Sequence, residues 1–412
     1  MEKLFLYLFL GISIFFLIVG YYLSIKKVIY LETREKLPAR PHFYGWYTVI
    51  LMGLPSFFIY ILLSVLSYYK ILHFPEIYRY LFVFLFIISG LLFAVKNINS
   101  KLNARVKVEK LINIVLIVSS LITIFVTIGL VLSVFFESLK FFKDVSIFEF
   151  LFGTEWEPDV AFLGGAGRSD ELMSKPKFGS VPLFAGTAMI SLIALLVAVP
   201  MGLFTAIFLS EYAPGKFRKR VKPILEILAG IPTVVYGFFA AITVSPLVVK
   251  LADLFGLNAE YTNALSPGLV MGIMIIPYMS SLSDDVINAV PNSLREGSLA
   301  LGTTKSETIK YVVLPAALPG IISAFILSAS RAIGETMIVV MAAGLRPNLT
   351  LNPLESMTTV TVRIVDALVG DQEFGSLETL SAFGLGFVLL IVTLILNIIS
   401  LIIVRKYREK YE

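Results

Sequence analysis

The chain has 412 residues, 57% of them hydrophobic and only 15% charged, where an ordinary soluble domain carries about 25% charge. With a mean hydropathy of +0.87, water cannot be its main solvent. Cysteine is absent and histidine occurs only at His42 and His73, which excludes disulfides, thiolate metal sites, cysteine nucleophiles and closely spaced histidine ligand pairs.

A bilayer core about 30 Å thick is crossed by roughly 20 residues of helix. Nine apolar segments are read as spans, at roughly 3 to 24, 47 to 69, 78 to 95, 110 to 136, 181 to 209, 223 to 250, 265 to 283, 316 to 342 and 380 to 404. The first is too long for a signal-peptide core, and Gly20-Tyr21-Tyr22 offers no small-x-small cleavage pattern, so it is read as a retained helix. The sequence therefore predicts an all-α integral membrane protein.

Basic residues in short loops orient such a chain. Lys26, Lys27, Arg34, Lys36 and Arg40 follow the first span; Lys96, Lys101, Arg105, Lys107 and Lys110 follow the third. Lys216, Arg218, Lys219, Arg220 and Lys222 follow the fifth, and Arg405, Lys406, Arg408 and Lys410 follow the ninth. All four clusters fall on one side, which predicts an external amino terminus and a cytoplasmic carboxyl terminus. The same placement in loops argues against nucleic acid as the reason for the net charge of +5. The long outer segment from 138 to 180 is mixed in sign, and its aromatic and glycine content, including Gly164-Gly165-Ala166-Gly167, predicts an ordered interfacial loop.

The chain divides near Lys110. Residues 1–109 form an extension with about three spans rich in Phe, Tyr and Leu, and 110–412 hold six spans and the motifs that follow. Ala229-Gly230-Ile231-Pro232 combines small residues, which permit close helix approach, with a proline that frees a backbone carbonyl; alone it marks no site. Asp284 and Asp285 lie near a helix end and are read as interfacial.

Between the seventh and eighth spans, Pro291 and Pro315 bracket a short segment that holds Glu296, Gly297, Ser298, Gly302 and Leu314. Prolines at both ends predict a helix separated from its neighbours by kinks, and Gly302 lets the chain turn out of it. Small side chains on one face would fit a partner's groove; the plainer reading is an amphipathic loop. Gly302-Thr303-Thr304-Lys305-Ser306 lacks the glycine immediately before lysine that a phosphate-binding loop needs, so any nucleotide chemistry belongs to another chain.

In the eighth span Arg331, Gly334, Glu335 and Thr336 stand together, with Arg331 about 24 Å of straight helix beyond Pro315. An arginine at a span's centre costs about 2.5 to 3.5 kcal/mol on insertion scales, so it lines a pathway or finds a partner. Arg331 and Glu335 are four apart and are expected to pair on one helix face. Two readings stand: a guanidinium fork for an oxyanion, held by Glu335 when the anion is gone, or a structural ion pair between helices.

The segment from Glu296 to Pro315 resembles in spacing the EAA-x3-G-x9-I-x-LP signature of ABC importer permeases, with Gly297, Ser298 and Val312 as departures. The run Arg331-Ala332-Ile333-Gly334-Glu335-Thr336 resembles the R-A-x-G-E-T motif of phosphate importer permeases. Further likeness to the PstC-type subunit lies in Phe152 to Trp156, Leu209 to Pro214 and Glu226 to Gly237, and the whole covers about residues 110 to 405. The resemblance implies a six-helix ABC importer permease core plus about three extra N-terminal transmembrane helices, in a bacterial cytoplasmic (inner) membrane. It implies a coupling helix at about 291–311 that docks on an ATPase, with Glu296, Gly297, Ser298, Gly302, Leu314 and Pro315 as its elements. The substrate pathway is implied at Arg331, Gly334, Glu335 and Thr336. Implied partners are a PstA-type permease, a PstB-type ATP-binding dimer and a PstS-type external phosphate-binding protein. No covalent chemistry and no cofactor of its own is implied, ATP-Mg residing on the partner. A permease for sulfate, molybdate or phosphonate, a PstA-type sister subunit, an ion-coupled phosphate carrier and a membrane scaffold are the alternatives.

Overall fold

The computed structural model describes residues 2–33, 36–69, 75–99, 101–158, 176–369 and 375–408. His73 and Gly164 to Gly167 lie outside this set. Among the described residues nine helices are long and apolar enough to cross a membrane. The chain divides into two compact units, Met1–Gly129 and Leu130–Glu412, with the division inside one long helix.

The first unit contains α1 (Glu2–Glu32), α2 (Pro41–Tyr68), α3 (Glu76–Asn97) and the start of α4 (Ala104–Asp144). Pro41 opens α2 at a position where its missing N–H costs nothing. Some polar groups inside the unit are matched to one another: Ser24 and Thr48 share a hydrogen bond of 2.6 Å, and the Tyr44 hydroxyl donates to the Leu102 carbonyl at 2.7 Å. In lipid such groups have no water to turn to, so internal pairing is required. Val28, Tyr44, Ile98 and Ala104 pack into a small core at one end of the unit.

In the second unit α4 leads into a short helix α5 (Ile147–Phe152) and a two-residue ladder, β1 (Trp156–Glu157) against β2 (Lys177–Phe178). Phe141, Phe150, Trp156 and Phe178 meet edge to face, with centroids 5.3 to 6.3 Å apart. This ladder and its aromatic cluster are built from the described ends of the outer segment, and no local sequence pattern announced the strands.

The remaining elements are α6 (Val181–Ile207) ending in a π-turn (Phe208–Tyr212), α7 (Gly215–Ala229), α8 (Thr233–Phe239) with a π-turn (Ala240–Val244), and α9 (Ser245–Leu254). They are followed by α10 (Leu265–Ala289), α11 (Asn292–Ala300), α12 (Lys305–Thr308) with a π-turn (Ile309–Val313), and α13 (Leu314–Ile333). Last come α14 (Met337–Ala342), α15 (Val360–Leu368) and α16 (Leu377–Arg408). Helix α10 is the most enclosed span and lies along α6, with Met271, Met274, Ile275 and Met279 fully buried.

Two expected spans are broken. The run expected at 223 to 250 separates into α7, which buries no residue, and the membrane helix from Thr233. Gly230 ends the first helix and Pro232, unable to donate a backbone hydrogen bond, precedes the second. The run expected at 316 to 342 breaks at residues 334–336, where no proline stands.

Candidate functional site

The break at 334–336 is held by side chains. The Glu335 carboxylate accepts hydrogen bonds from the Met337 and Ile338 backbone N–H groups at 3.1 and 3.4 Å, replacing helical partners they lack. The Glu335 carbonyl, freed by the break, accepts from the Thr361 hydroxyl of α15 at 2.9 Å. Gly237 on α8 faces α14 so closely that an added Cβ would lie 2.9 Å from the Met337 carbonyl oxygen and 3.1 Å from the Ile338 Cα. Farther out, Ser356 N–H donates to Glu260 at 3.0 Å and Leu265 N–H to the Pro353 carbonyl at 2.9 Å, which ties the 344–359 loop to the start of α10.

Arg331 lies in the last turn of α13, where a cation complements the helix dipole. The expected pair with Glu335 is absent: no ion pair joins them among the described residues, because the helix stops at Ile333 and the carboxylate is turned onto the next helix. The Arg331 side chain is exposed on the single chain, and its guanidinium carbon lies 5.3 Å from the Tyr278 ring centroid on α10. Such stacking satisfies the cation's face while leaving its edge donors open. Gly334 is exposed beside it, and the Thr336 hydroxyl reaches only the Gly334 carbonyl, at 3.4 Å.

The segment between α10 and α13 forms a second constellation. Arg295, in the first turn of α11, donates to Glu211 in the π-turn after α6 at 3.0 and 3.2 Å, to the Ile287 carbonyl at 2.7 Å and to the Val290 carbonyl. Both charged side chains are largely buried, at 16% and 10% exposure. One guanidinium thus holds the root of α11 to the ends of two spans. Beside it, Asp284 is 1% exposed and accepts from Arg218 at 2.9 and 3.0 Å and from Lys222 at 2.9 Å, with Asn288 donating at 2.9 Å. The hydrogen bond it donates to Asp284 holds the Lys222 ammonium above the ordinary lysine range. Both carboxylates lie near the end of α10; Asp285 is exposed, whereas Asp284 is buried inside this clamp.

In α11, Glu296, Gly297, Leu299 and Ala300 are exposed, and Leu301 just beyond it is 87% exposed. Ser298 faces inward instead of onto an outer small-residue face: its hydroxyl meets Thr303 at 2.7 Å and Thr308 at 3.1 Å. Gly302 adopts φ +87°, a left-handed turn that favours glycine, and Thr304 with Glu307 forms a capping box that starts α12. Leu314 packs against the core beneath while Pro315 opens α13.

The profile of the family described as binding-protein-dependent transport system inner membrane component matches residues 198–409, just over half of the chain. The chain belongs to this family. The match takes in both constellations, since Arg331, Glu335, Arg295 and Glu211 all fall within it. Among relatives, the probable ABC transporter permease protein YqgH of Bacillus subtilis is 34% identical to this inner membrane component over 249 residues, 60% of this chain and 75% of that protein. The phosphate transport system permease protein PstC of Mesorhizobium japonicum is 32% identical, covering 54% of this chain and 72% of its own. The PstC 1 protein of Mycobacterium tuberculosis is 32% identical, covering 62% and 81%. A solved bacterial ABC transporter involved in importing the acidic polysaccharide alginate aligns with 55% of this chain and 79% of its own at 16% identity and a TM-score of 0.43.

The Asp284 clamp and the Arg295 anchor were missed in the sequence because their partners stand 62 to 84 residues away. A faint signal existed: Arg218 and Lys222 share one face of α7 at four-residue spacing, as Asp284 and Asn288 do on α10.

Proposed function

We propose that this inner membrane component is the permease subunit of an ATP-driven importer for inorganic phosphate, with Arg331 at the translocation path. The single observation that carries this reading is the Arg331 guanidinium, exposed where a membrane helix breaks and with no hydrogen bond from its edge donors among the described residues. A planar fork of that kind suits a tetrahedral oxyanion. The PstC names of two relatives favour phosphate among oxyanions.

In this reading α11 and the turn at Gly302 dock on a separate ATPase dimer that holds ATP-Mg, through Glu296, Gly297, Leu301 and Gly302. Ser298 shapes the segment from inside, and Leu314 and Pro315 seat it on the bundle. ATP-driven closure of the motor moves α11, and the Arg295 anchor carries that motion to α6 and α10, alternating access to Arg331. Glu335 holds the break open, with Gly334 and Thr336 beside it. A second, homologous permease and an external phosphate-binding protein complete the assembly, and the chain sits with its amino terminus outside and its carboxyl terminus in the cytoplasm. Residues 1–109 act as an accessory to this core.

The test is copurification of the chain with an ATPase subunit, followed by ATP hydrolysis in liposomes with and without phosphate and its binding protein. Phosphate-stimulated hydrolysis is expected. Stimulation by sulfate or molybdate in its place would reassign the anion, and phosphate transport with no ATPase present would overturn the reading.

A further inference from the structure

The first unit bears a cavity wide open to its surroundings, of about 480 Å³, lined by Tyr47, Asn97, Asn99, Lys101, Asn103 and Lys107, with Leu102 and Val106 as its apolar wall. That volume is within the range of small-ligand sites. Its lining contains cations, carboxamides and a phenol hydroxyl, and no carboxylate. Glu109, the nearest acid in sequence, is held by Arg105 at 2.6 Å. Among the described residues Lys101 and Lys107 have no ion-pair partner, and the Asn97 and Asn99 side chains make no hydrogen bond, so the donors facing this space are uncommitted.

The cavity is preformed. The turn that carries it, between α3 and α4, is fixed from below: Ile98 and Ala104 are buried in the core of the unit, Tyr44 binds the Leu102 carbonyl at 2.7 Å, and the Leu102 N–H binds the Asn99 carbonyl at 3.2 Å. Because the turn joins the ends of two membrane spans, the cavity lies at the boundary where lipid phosphates sit. Two exposed lysines and several neutral donors around a space open to that layer match a phosphate group, which needs many donors and tolerates an apolar glycerol or acyl wall beside it.

We propose that this cavity is a phosphate-group site of the N-terminal extension, taking the headgroup phosphodiester of an anionic phospholipid or inorganic phosphate. Arg331 is not among its lining residues, and the site does not rest on the transport reading.

The test uses the full chain with Lys101→Gln and Lys107→Gln together, Lys101→Arg with Lys107→Arg as the charge-retaining pair, and exposed Lys36→Gln as a control. In one arm, phosphatidylglycerol or phosphatidylcholine retained by the purified protein is counted by native mass spectrometry. In the other, binding of radiolabelled inorganic phosphate is measured in an Arg331→Ala background. One basic side chain near an anionic surface is worth a factor of about five, so the glutamine pair should weaken phosphatidylglycerol binding roughly thirtyfold. The arginine pair and the control should retain it, and phosphatidylcholine should be indifferent. Loss confined to the phosphate arm supports the site with inorganic phosphate as its ligand. Equal binding of both ligands by the wild type and the glutamine pair, with unchanged melting temperature, overturns the proposal.

Discussion

Arg295 holds Glu211 across 84 residues of sequence at 3.0 Å, and the same guanidinium caps the last carbonyls of α10. Because both charges are largely buried, removing Arg295 strands the Glu211 carboxylate, and removing Glu211 leaves the guanidinium with neutral acceptors only. The fork geometry also matters, since a lysine's compact ammonium lacks the planar spread by which Nε, Nη1 and Nη2 reach Glu211 and two carbonyls. Arg295→Lys and Glu211→Gln should therefore loosen α11 from the spans. The expected outcome is continued ATP hydrolysis by the assembled importer with a lower ratio of substrate moved to ATP consumed. A ratio equal to wild type in both variants would contradict the anchoring role.

The Asp284 clamp predicts a stability change. Replacing Arg218 and Lys222 by alanine strands a buried carboxylate, at a cost of about 3 to 5 kcal/mol, and Asp284→Asn in that background should recover part of it. The measurement is melting in detergent for the wild type, the double variant and the triple variant.

The same clamp fixes the pH dependence. The Lys222 pKa is raised in the folded state, so its contribution is fully present below the unfolded lysine value of about 10.4 and is lost only as pH rises through the higher folded value. The deficit in melting temperature of Lys222→Met should accordingly be flat across the neutral range and shrink only in strong alkali.

Gly237 predicts a steric effect at the broken helix. A Cβ there would meet the Met337 carbonyl and Ile338 Cα, backbone atoms that cannot rotate away. Gly237→Ala should cost about 1 to 3 kcal/mol by overpacking and impair uptake. Gly129→Ala, with nothing within 4 Å, should be neutral or slightly stabilising in the same melting assay.

Much of the architecture was legible because a bilayer imposes one simple rule on length and hydropathy, and the nine expected runs overlap the nine membrane-length helices among the described residues. The breaks were less legible. The one at Gly230 to Pro232 carried a chemical marker, whereas the one at Gly334 to Thr336 depends on a carboxylate turning onto the backbone two and three residues ahead. Reading Arg331 and Glu335 as a helical pair assumed an unbroken helix, and that assumption failed at Ile333. The β1–β2 ladder joins Trp156 to Phe178, too far apart for any local pattern to announce. Gly302 was legible because a tight turn after a short helix demands a positive φ that glycine supplies.

The most direct measurement is uptake of radiolabelled phosphate by liposomes that contain the whole importer with Arg331→Ala in this chain. With the guanidinium as the oxyanion's station on the path, uptake should fall to background while the ATPase subunit still copurifies. Uptake at the wild-type rate would contradict that assignment.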